Sequence, residues 1–202
     1  MLKRGEVYEN PVTGERVVIR VGTHETDGER LVADVYARPG AAVAGEHLHP
    51  SIEERFTVLR GRVGFCIDGR EAIAKPGHEI LVPAGVAHDW WNAGDEEAHI
   101  VVEVQPAARF EAMILNLFGL AQDGKTDKKG MPSLLQLALL AREFEDVVRF
   151  TTIPRPVQRV LFALLAPIAR LRGYRGRYPE YESRAPLNVL PANALEMATA
   201  VS

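Results

Sequence analysis

The sequence contains little of what disulfide frameworks, nucleic-acid surfaces or membrane spans require. It has one cysteine, Cys66, in 202 residues, which excludes an intramolecular disulfide and a cysteine-rich zinc site. Its 24 Lys and Arg residues against 27 Asp and Glu residues leave a net charge of −3, so we predict no nucleic-acid partner, because such a partner needs a basic patch. The sequence has no run of about 18 apolar residues, and a transmembrane helix is therefore not expected.

The first residues also lack the apolar stretch of a secretory signal. Lys3, Arg4 and Glu6 bring charge into the chain at once. Together with the single cysteine, this pattern is typical of a protein of the reducing cytoplasm, which is the location that we predict.

The first half of the chain is built from short segments rich in Val, Ile, Thr and aromatic residues, separated by Gly, Pro, Asn and Asp. Such segments predict β-strands joined by tight turns in a sandwich or barrel. The pair Asp68-Gly69 is a hairpin-turn signal. The predicted strands cover residues 16–21, 31–37, 54–59, 63–67, 79–82 and 98–104.

After Pro106 the period of the apolar residues becomes helical. We predict a second helix over residues 133–150 and a third over residues 157–171, with an extended or partly disordered tail from Gly173. The first helix has an apolar stripe of Phe110, Met113, Ile114, Leu117 and Leu120.

The change of period predicts a division of the chain into three parts. Residues 1–106 form a β-barrel, and residues 107–175 form a helical extension that packs on the barrel or on a partner subunit. Residues 176–202 form an extended tail. The predicted fold class is therefore mainly β, with a C-terminal α-helical extension.

One cluster of residues carries the chemistry of the chain: His47, His49, Glu54 and His88. Residues two apart in a strand point to the same face, so His47 and His49 can converge on one point inside a barrel. Glu54 at the start of the next strand, and His88 after the Pro83-x-Gly85 turn, can reach the same point. Three neutral imidazoles and one carboxylate suit Fe(II), Mn(II), Zn(II), Ni(II) or Cu(II) better than Ca(II) or Mg(II).

At these residues the chain resembles the cupin superfamily. The first motif of that family, G-x5-H-x-H-x(3,4)-E-x6-G, is matched by Gly40, His47, His49, Glu54 and Gly61. Gly40 lies one residue further from His47 than the pattern prefers, which puts only the incoming turn in doubt. The spacing to Gly61 selects Glu54, rather than its neighbour, as the carboxylate.

The second cupin motif, G-x5-P-x-G-x2-H-x3-N, is matched at every position by Gly77, Pro83, Gly85, His88 and Asn92. The resemblance covers roughly residues 30–106. It implies a jelly-roll barrel with one divalent transition metal at its centre, Fe(II) or Mn(II) before the others, and a homodimer.

The same strand parity predicts what surrounds the metal. If Glu54 points inward, Phe56 does too, and Trp90 follows His88. With Phe65 from the next hairpin, these aromatic side chains either line a substrate pocket or simply fill the barrel. No general acid or base beyond the ligands is evident. Weak candidates for that role are Glu53, Asp89 and Tyr36.

Two interpretations of the helical extension are open. Its helices either pack on the barrel, closing a mouth or building a dimer interface, or the last helix lies on a membrane surface. The second reading, which we favour less, rests on four arginines that flank its apolar run: Arg155, Arg159, Arg170 and Arg172.

The resemblance and the ligand set together predict a metal-dependent, dioxygenase-like oxidoreductase. Cupins with this ligand set include dioxygenases that act on flavonols, thiols, acidic phenols and diketones, and apolar walls favour a small apolar or aromatic substrate. The first alternative is redox-neutral isomerisation, decarboxylation or cyclisation at the same metal. The second is a non-catalytic binding or sensing protein.

Overall fold

The computed structural model describes residues 2–43, 45–107 and 109–191. Most of its regular structure is β, in two antiparallel sheets, and the helices follow in the C-terminal half. The strands are β1 (Glu6–Asn10), β2 (Glu15–Val21), β3 (Leu31–Ala37), β4 (His47–Leu48), β5 (Glu53–Arg60), β6 (Val63–Ile67), β7 (Arg70–Ala74), β8 (Glu79–Val82), β9 (His88–Asn92), β10 (Ala98–Gln105), β11 (Arg149–Phe150) and β12 (Asn188–Val189). The helices are a short 3-10 turn at Thr23–Glu25, then α1 (Phe110–Gln122), α2 (Leu134–Glu143), α3 (Arg155–Leu171) and α4 (Pro179–Glu182).

The two sheets confirm the predicted β class with a helical extension. One sheet has the order β12-β1-β2-β3-β10-β5-β8, and the other has the order β11-β4-β9-β6-β7. Each sheet thus receives an edge strand, β11 or β12, from beyond residue 106. The chain after the barrel is therefore joined to both sheets by backbone pairing, while the three-part division of the chain stays a prediction.

The inward faces of the strands follow the alternation that the sequence predicts. In β5 the side chains of Glu54, Phe56 and Val58 are buried, while Glu53 is exposed. This period of two is what a strand with one face on a core requires. Phe56 and Val58 join a large apolar cluster that also contains Phe65 and Trp90.

The predicted hairpin at Asp68-Gly69 joins β6 to β7. Asp68 has a φ of 50° and Gly69 a φ of 71°. Two consecutive left-handed residues define a type I′ turn, whose twist matches that of the strands it connects. Gly61 has a different constraint, because a Cβ at this position would lie 2.9 Å from the Cα of Ala98.

Helix α1 agrees with the prediction, whereas α2 is shorter than predicted. Ser133 caps α2 by accepting a hydrogen bond from the backbone N–H of Gln136 at 3.4 Å. The helix ends at Glu143, so the prediction of a helix through residue 150 is wrong. Phe144 and the residues after it turn into the core, and β11 then pairs with β4, so that burial and strand pairing override the helical period.

Helix α3 has two apolar faces. One of them, with Phe162, Ala166 and Ala169, is buried, and two of its alanines pack with Leu139 of α2. No helix in the described part of the chain has the length and hydropathy needed to cross a membrane. The opposite face of α3 is an exposed apolar stripe made of Val157, Val160, Leu164, Ile168 and Leu171.

The predicted tail is only partly described, and it is not extended throughout. The described part contains α4, and the side chain of Tyr181 is buried against α1, where Gly119 leaves room for its ring. The β12 strand then pairs with β1. Burial of an aromatic ring holds this segment on the molecule, and residues 192–202 lie outside the described residues.

Candidate metal centre

Four side chains from three strands and one loop meet inside the barrel. His47 and His88 are direct cross-strand partners on β4 and β9. His49 follows β4 by one residue, and Glu54 comes from the inward face of β5. The sequence-predicted ligands are thus brought together in space.

The ligand atoms are close enough to share one ion. All four lie within 4.8 Å of one another. The Oε2 atom of Glu54 is 2.8 Å from His88 Nε2 and 3.4 Å from His49 Nε2. Ligands bonded at about 2.1 Å to one metal sit about 3 Å from their neighbours, so these separations fit a coordination shell.

Each imidazole is oriented by a backbone carbonyl on its other nitrogen. The Nδ1 atoms of His47, His49 and His88 lie 2.9, 2.7 and 3.1 Å from carbonyl oxygens. Since a carbonyl only accepts, each Nδ1 carries the proton and each Nε2 presents its lone pair to the centre. The three carbonyls belong to Gly45, Val147 and Val86.

Three of the converging atoms are buried and lack a hydrogen-bond partner among the described residues: His49 Nε2, Glu54 Oε2 and His88 Nε2. Buried polar atoms are normally satisfied, so unsatisfied acceptors aimed at one point indicate an ion. The group fits a single divalent metal. Its donor set of three imidazoles and one carboxylate does not select one transition metal over the others.

The surroundings of His47 and Glu54 favour the protonation states that bind a metal, namely a neutral imidazole and an ionised carboxylate. Burial, together with the imidazoles of His49 and His88, lowers the pKa of His47 to about 3, which keeps it neutral. Burial would raise the pKa of Glu54, but contacts with the two buried histidines hold it well below its usual range. Burial would likewise lower the pKa of His49, but the Glu54 carboxylate raises it.

The choice between the two adjacent glutamates is made by the pleat of β5. The side chain of Glu53 is 46% exposed and lies 3.9 Å from Arg55, whereas that of Glu54 is 7% exposed and faces the histidines. Neighbouring residues of a strand point to opposite faces, so only one of them can enter the barrel.

The second motif contributes structure as well as a ligand. The N–H of Gly85 donates a hydrogen bond of 2.7 Å to the carbonyl of His49, which joins the turn before His88 to the strand of the first motif. Asn92 donates through Nδ2 to the carbonyls of Ala37 and Glu96 and accepts from the N–H of Gly94. The amide of Asn92 therefore closes the loop after β9.

A cavity of about 150 Å³ opens beside the ligands, and most of its wall is apolar. The barrel supplies one side of it, including Phe56 and Trp90. Helix α1 supplies the other side. The α1 residues on the wall are Phe110, Met113, Ile114, Leu117 and Phe118.

Two of the three predicted pocket aromatics reach this cavity, and the third does not. Phe56 and Trp90 line it, although both are almost fully buried. Phe65 is 0% exposed, packs edge-to-face on Phe56 at 5.3 Å and lies outside the lining. Phe65 is the cross-strand partner of Trp90 and shares one core cluster with Phe56, so it fills the barrel, while substrate contact by the three aromatic residues stays a prediction.

None of the weaker acid or base candidates enters the cavity. Glu53 is exposed, and Asp89 points to the face of β9 opposite His88. Tyr36 stacks on His99 at 4.3 Å, on the face of β3 opposite the buried Val35.

Three features of the site were not visible in the sequence. The carbonyl that orients His49 belongs to Val147, and the ring of Phe110 packs at 5.5 Å from the His49 ring. Glu15 lines the same cavity as the ligands. For the α1 residues on the cavity wall, the sequence showed only that the helix has an apolar stripe.

Comparison with known proteins agrees with the barrel and its motifs. Residues 34–104 match the family model described as a cupin domain. Polyketide synthase CurC of Streptomyces cyaneus is 35% identical over 71 residues, which cover 35% of this chain and 46% of CurC. Protein SchB of Streptomyces halstedii is 35% identical over 71 residues, covering 35% of this chain and 51% of SchB. The chain thus matches about half the length of these curated relatives.

Among solved structures, an RmlC-like cupin from Shewanella frigidimarina is similar, with a TM-score of 0.44 and 17% identity over 51% of this chain and 85% of that one. The chain combines a β-barrel with an inward cluster of three histidines and one glutamate that could hold one metal ion. Residues 34–104 of the chain thus match a cupin domain, and a C-terminal helical extension follows them.

Proposed function

We propose that this protein is a metal-dependent enzyme of the dioxygenase-like oxidoreductase type, acting on a small and largely apolar or aromatic substrate. The observation that carries the proposal is the convergence of three carbonyl-oriented imidazoles and one buried carboxylate at the wall of an apolar cavity. An ion held there has coordination positions left for a substrate and supplies Lewis acidity or redox chemistry when bound.

The residues of the chain have separable tasks in this proposal. His47, His49 and His88 hold the ion through Nε2, and Glu54 offsets part of its charge. Phe56 and Trp90, with the apolar face of α1, exclude water and select apolar groups. In such a dry cavity each electrostatic contact is stronger than it would be in water.

The similarity to the polyketide synthase CurC supports an oxygen-rich carbon skeleton as substrate class. A 1,3-diketone or a phenol combines apolar surface with oxygens that bind a metal ion. This substrate class is compatible with the lining and with the donor set.

Oxygen uptake tests the proposal. The Fe(II)-loaded protein is mixed with an aromatic 1,3-diketone and, separately, with a flavonol, and dissolved oxygen is recorded. We expect uptake with at least one probe by the wild type and none by His88→Ala. Protein that holds no metal after purification and reconstitution would contradict the enzyme proposal altogether.

Redox-neutral chemistry at the same ion is the second candidate, and the polyketide relative favours it because ring closure of a polyketone consumes no oxygen. The discriminating experiment compares product formation in air and under nitrogen. Equal product in both supports a lyase, isomerase or cyclase, whereas product in air alone supports the oxidoreductase. Ligand binding without any product supports a binding or sensing role.

A further inference from the structure

The cavity beside the metal ligands has a second polar end. Asn10, Thr13 and Glu15, at the turn from β1 to β2, line the same cavity as the histidines. Between the two ends the wall is apolar and includes Val17, Val35 and other aliphatic side chains.

The register of the sheet places the two polar ends far apart. Glu15 is the cross-strand partner of Ala37 at one end of β3. Glu54 is the partner of Val104, which in turn faces Leu31 at the other end of β3. The length of the seven-residue strand therefore separates them, which is about 20 Å measured along the strand.

The lining residues and the strand register together show how far the cavity extends. The cavity wall includes residues at both ends of β3, so the cavity extends along this strand. An elongated ligand can contact both polar ends at once, whereas a compact ligand can contact only one of them.

The carboxyl group of Glu15 is poorly satisfied by the protein. The Thr13 hydroxyl donates to it at 2.5 Å, and no lysine, arginine or histidine pairs with it in the described part of the chain. Burial raises the pKa of Glu15 to about 7. A carboxyl group in this state can donate or accept a hydrogen bond near neutral pH.

The turn itself does not need this carboxyl group. The side chain of Asn10 already accepts hydrogen bonds from the backbone N–H groups of Val12 and Thr13 at 3.1 Å, which closes the turn. The carboxyl group of Glu15 is instead placed on the cavity wall, on the same face of β2 as Val17 and Ile19.

We propose that Glu15 and Thr13 form a second anchor, which binds a hydroxyl or amino group at the far end of an elongated, otherwise apolar ligand whose near end reaches the metal ligands. The part of this inference that concerns the near end rests on the proposed function. The far-end anchor depends only on the cavity and on Glu15.

Straight-chain carboxylic acids from octanoate to hexadecanoate, with and without a terminal ω-hydroxyl group, are the probes. Binding is measured by calorimetry on the metal-loaded protein. At one chain length, matched to the distance between the anchors, we expect the ω-hydroxyl acid to bind about tenfold more tightly than the plain acid.

Three variants separate anchoring from packing. Glu15→Leu should reverse the preference, because the hydroxyl group then enters an apolar site without a partner. Glu15→Gln, which keeps a hydrogen-bonding amide, should retain most of it. Glu9→Gln, on the neighbouring strand and outside the lining, should leave the preference unchanged, and thermal melting checks that each variant folds.

The same measurement on His88→Ala distinguishes failure of this inference from failure of the proposed function. A hydroxyl preference that persists without the metal, and disappears in Glu15→Leu, supports the anchor whatever the metal does. The anchor is refuted if no acid binds, or if no chain length shows a preference for the ω-hydroxyl acid. It is also refuted if Glu15→Leu keeps the wild-type ratio of affinities for the ω-hydroxyl acid and the plain acid. The metal-dependent function is tested separately by oxygen uptake.

Discussion

At the scale of single residues, the metal centre depends on atoms that no other group in the described chain satisfies. The Nε2 atoms of His49 and His88 and Oε2 of Glu54 are buried and face one another. Such an arrangement is costly without an ion, because two lone pairs and a carboxylate would meet in a dry site. Metal binding is therefore expected to stabilise the fold as well as to enable chemistry.

Replacing one ligand should remove most of the metal affinity. For His88→Ala we expect the metal affinity to fall by more than about tenfold, because one of the four ligands is removed. The melting temperature in the presence of metal should also fall, because less metal stabilises the folded state. Metal content measured by mass spectrometry after dialysis checks this outcome. Glu53→Gln is the matched control, because its side chain points to solvent and its metal content should equal that of the wild type.

Glu15 should make stability depend on pH near neutrality. Its folded pKa of about 7 lies above the usual value of 4.5, so the folded state binds this proton more tightly than the unfolded state does. The resulting stabilisation is complete below pH 4.5 and is lost as pH rises through about 7. We expect Glu15 to contribute a fall of about 2 to 3 kcal/mol in the free energy of unfolding across this range.

Urea unfolding of the wild type and of Glu15→Gln, measured from acid to mildly alkaline pH, checks this linkage. The variant should lose the part of the slope that comes from residue 15. An identical slope in both proteins would show that the carboxyl group of Glu15 has an ordinary pKa.

At the scale of elements, the segment after α2 supports β4, which carries His47, and the residue His49 that follows this strand. β11 pairs with β4, and the carbonyl of Val147 orients His49. The N–H groups of Val147 and Val148 both bond to the carbonyl of Phe144, whose ring is fully buried. This segment is thus held by the core as well as by the sheet.

Phe144→Ala should weaken metal binding as well as stability. Removing a fully buried ring costs about 3 to 5 kcal/mol, and the freed segment no longer holds the Val147 carbonyl against His49. Metal titration alongside urea unfolding measures both effects. Leu139→Ala provides the comparison, because Leu139 is buried between α2 and α3, so it should lower stability while leaving metal affinity near the wild-type value.

At the scale of the whole molecule, helix α3 has one buried and one exposed apolar face. Phe162 is 3% exposed, whereas Leu164 on the opposite face is 67% exposed. The exposed stripe of α3 is the surface to which the predictions of a homodimer and of membrane contact apply, and both stay predictions.

The two faces of α3 should respond differently to truncation. We expect Phe162→Ala to lower the free energy of unfolding by about 3 kcal/mol and Leu164→Ala to lower it by less than about 0.5 kcal/mol. Urea unfolding of dilute protein measures both values. A large cost at Leu164 that grows with protein concentration would show instead that a second copy covers the stripe.

Much of the barrel and of its ligand set was predictable from local patterns. Alternation along β5 and the spacing to Gly61 selected Glu54, and the Asp68-Gly69 pair located a hairpin. These features depend on the pleat of a strand and on backbone conformations of neighbouring residues, which a sequence displays directly.

What surrounds the ligands depended on contacts between residues that are distant in the chain. The Val147 carbonyl is 98 residues from His49, and the helical pattern through residue 150 concealed the turn that brings it there. Glu15 lies just before the predicted strand 16–21, and only the folded barrel places it on the cavity wall, while Phe65 packs on Phe56 in the core. Local spacing therefore identified which residues form the candidate metal site, while packing alone determined which groups orient them and which side chains surround them.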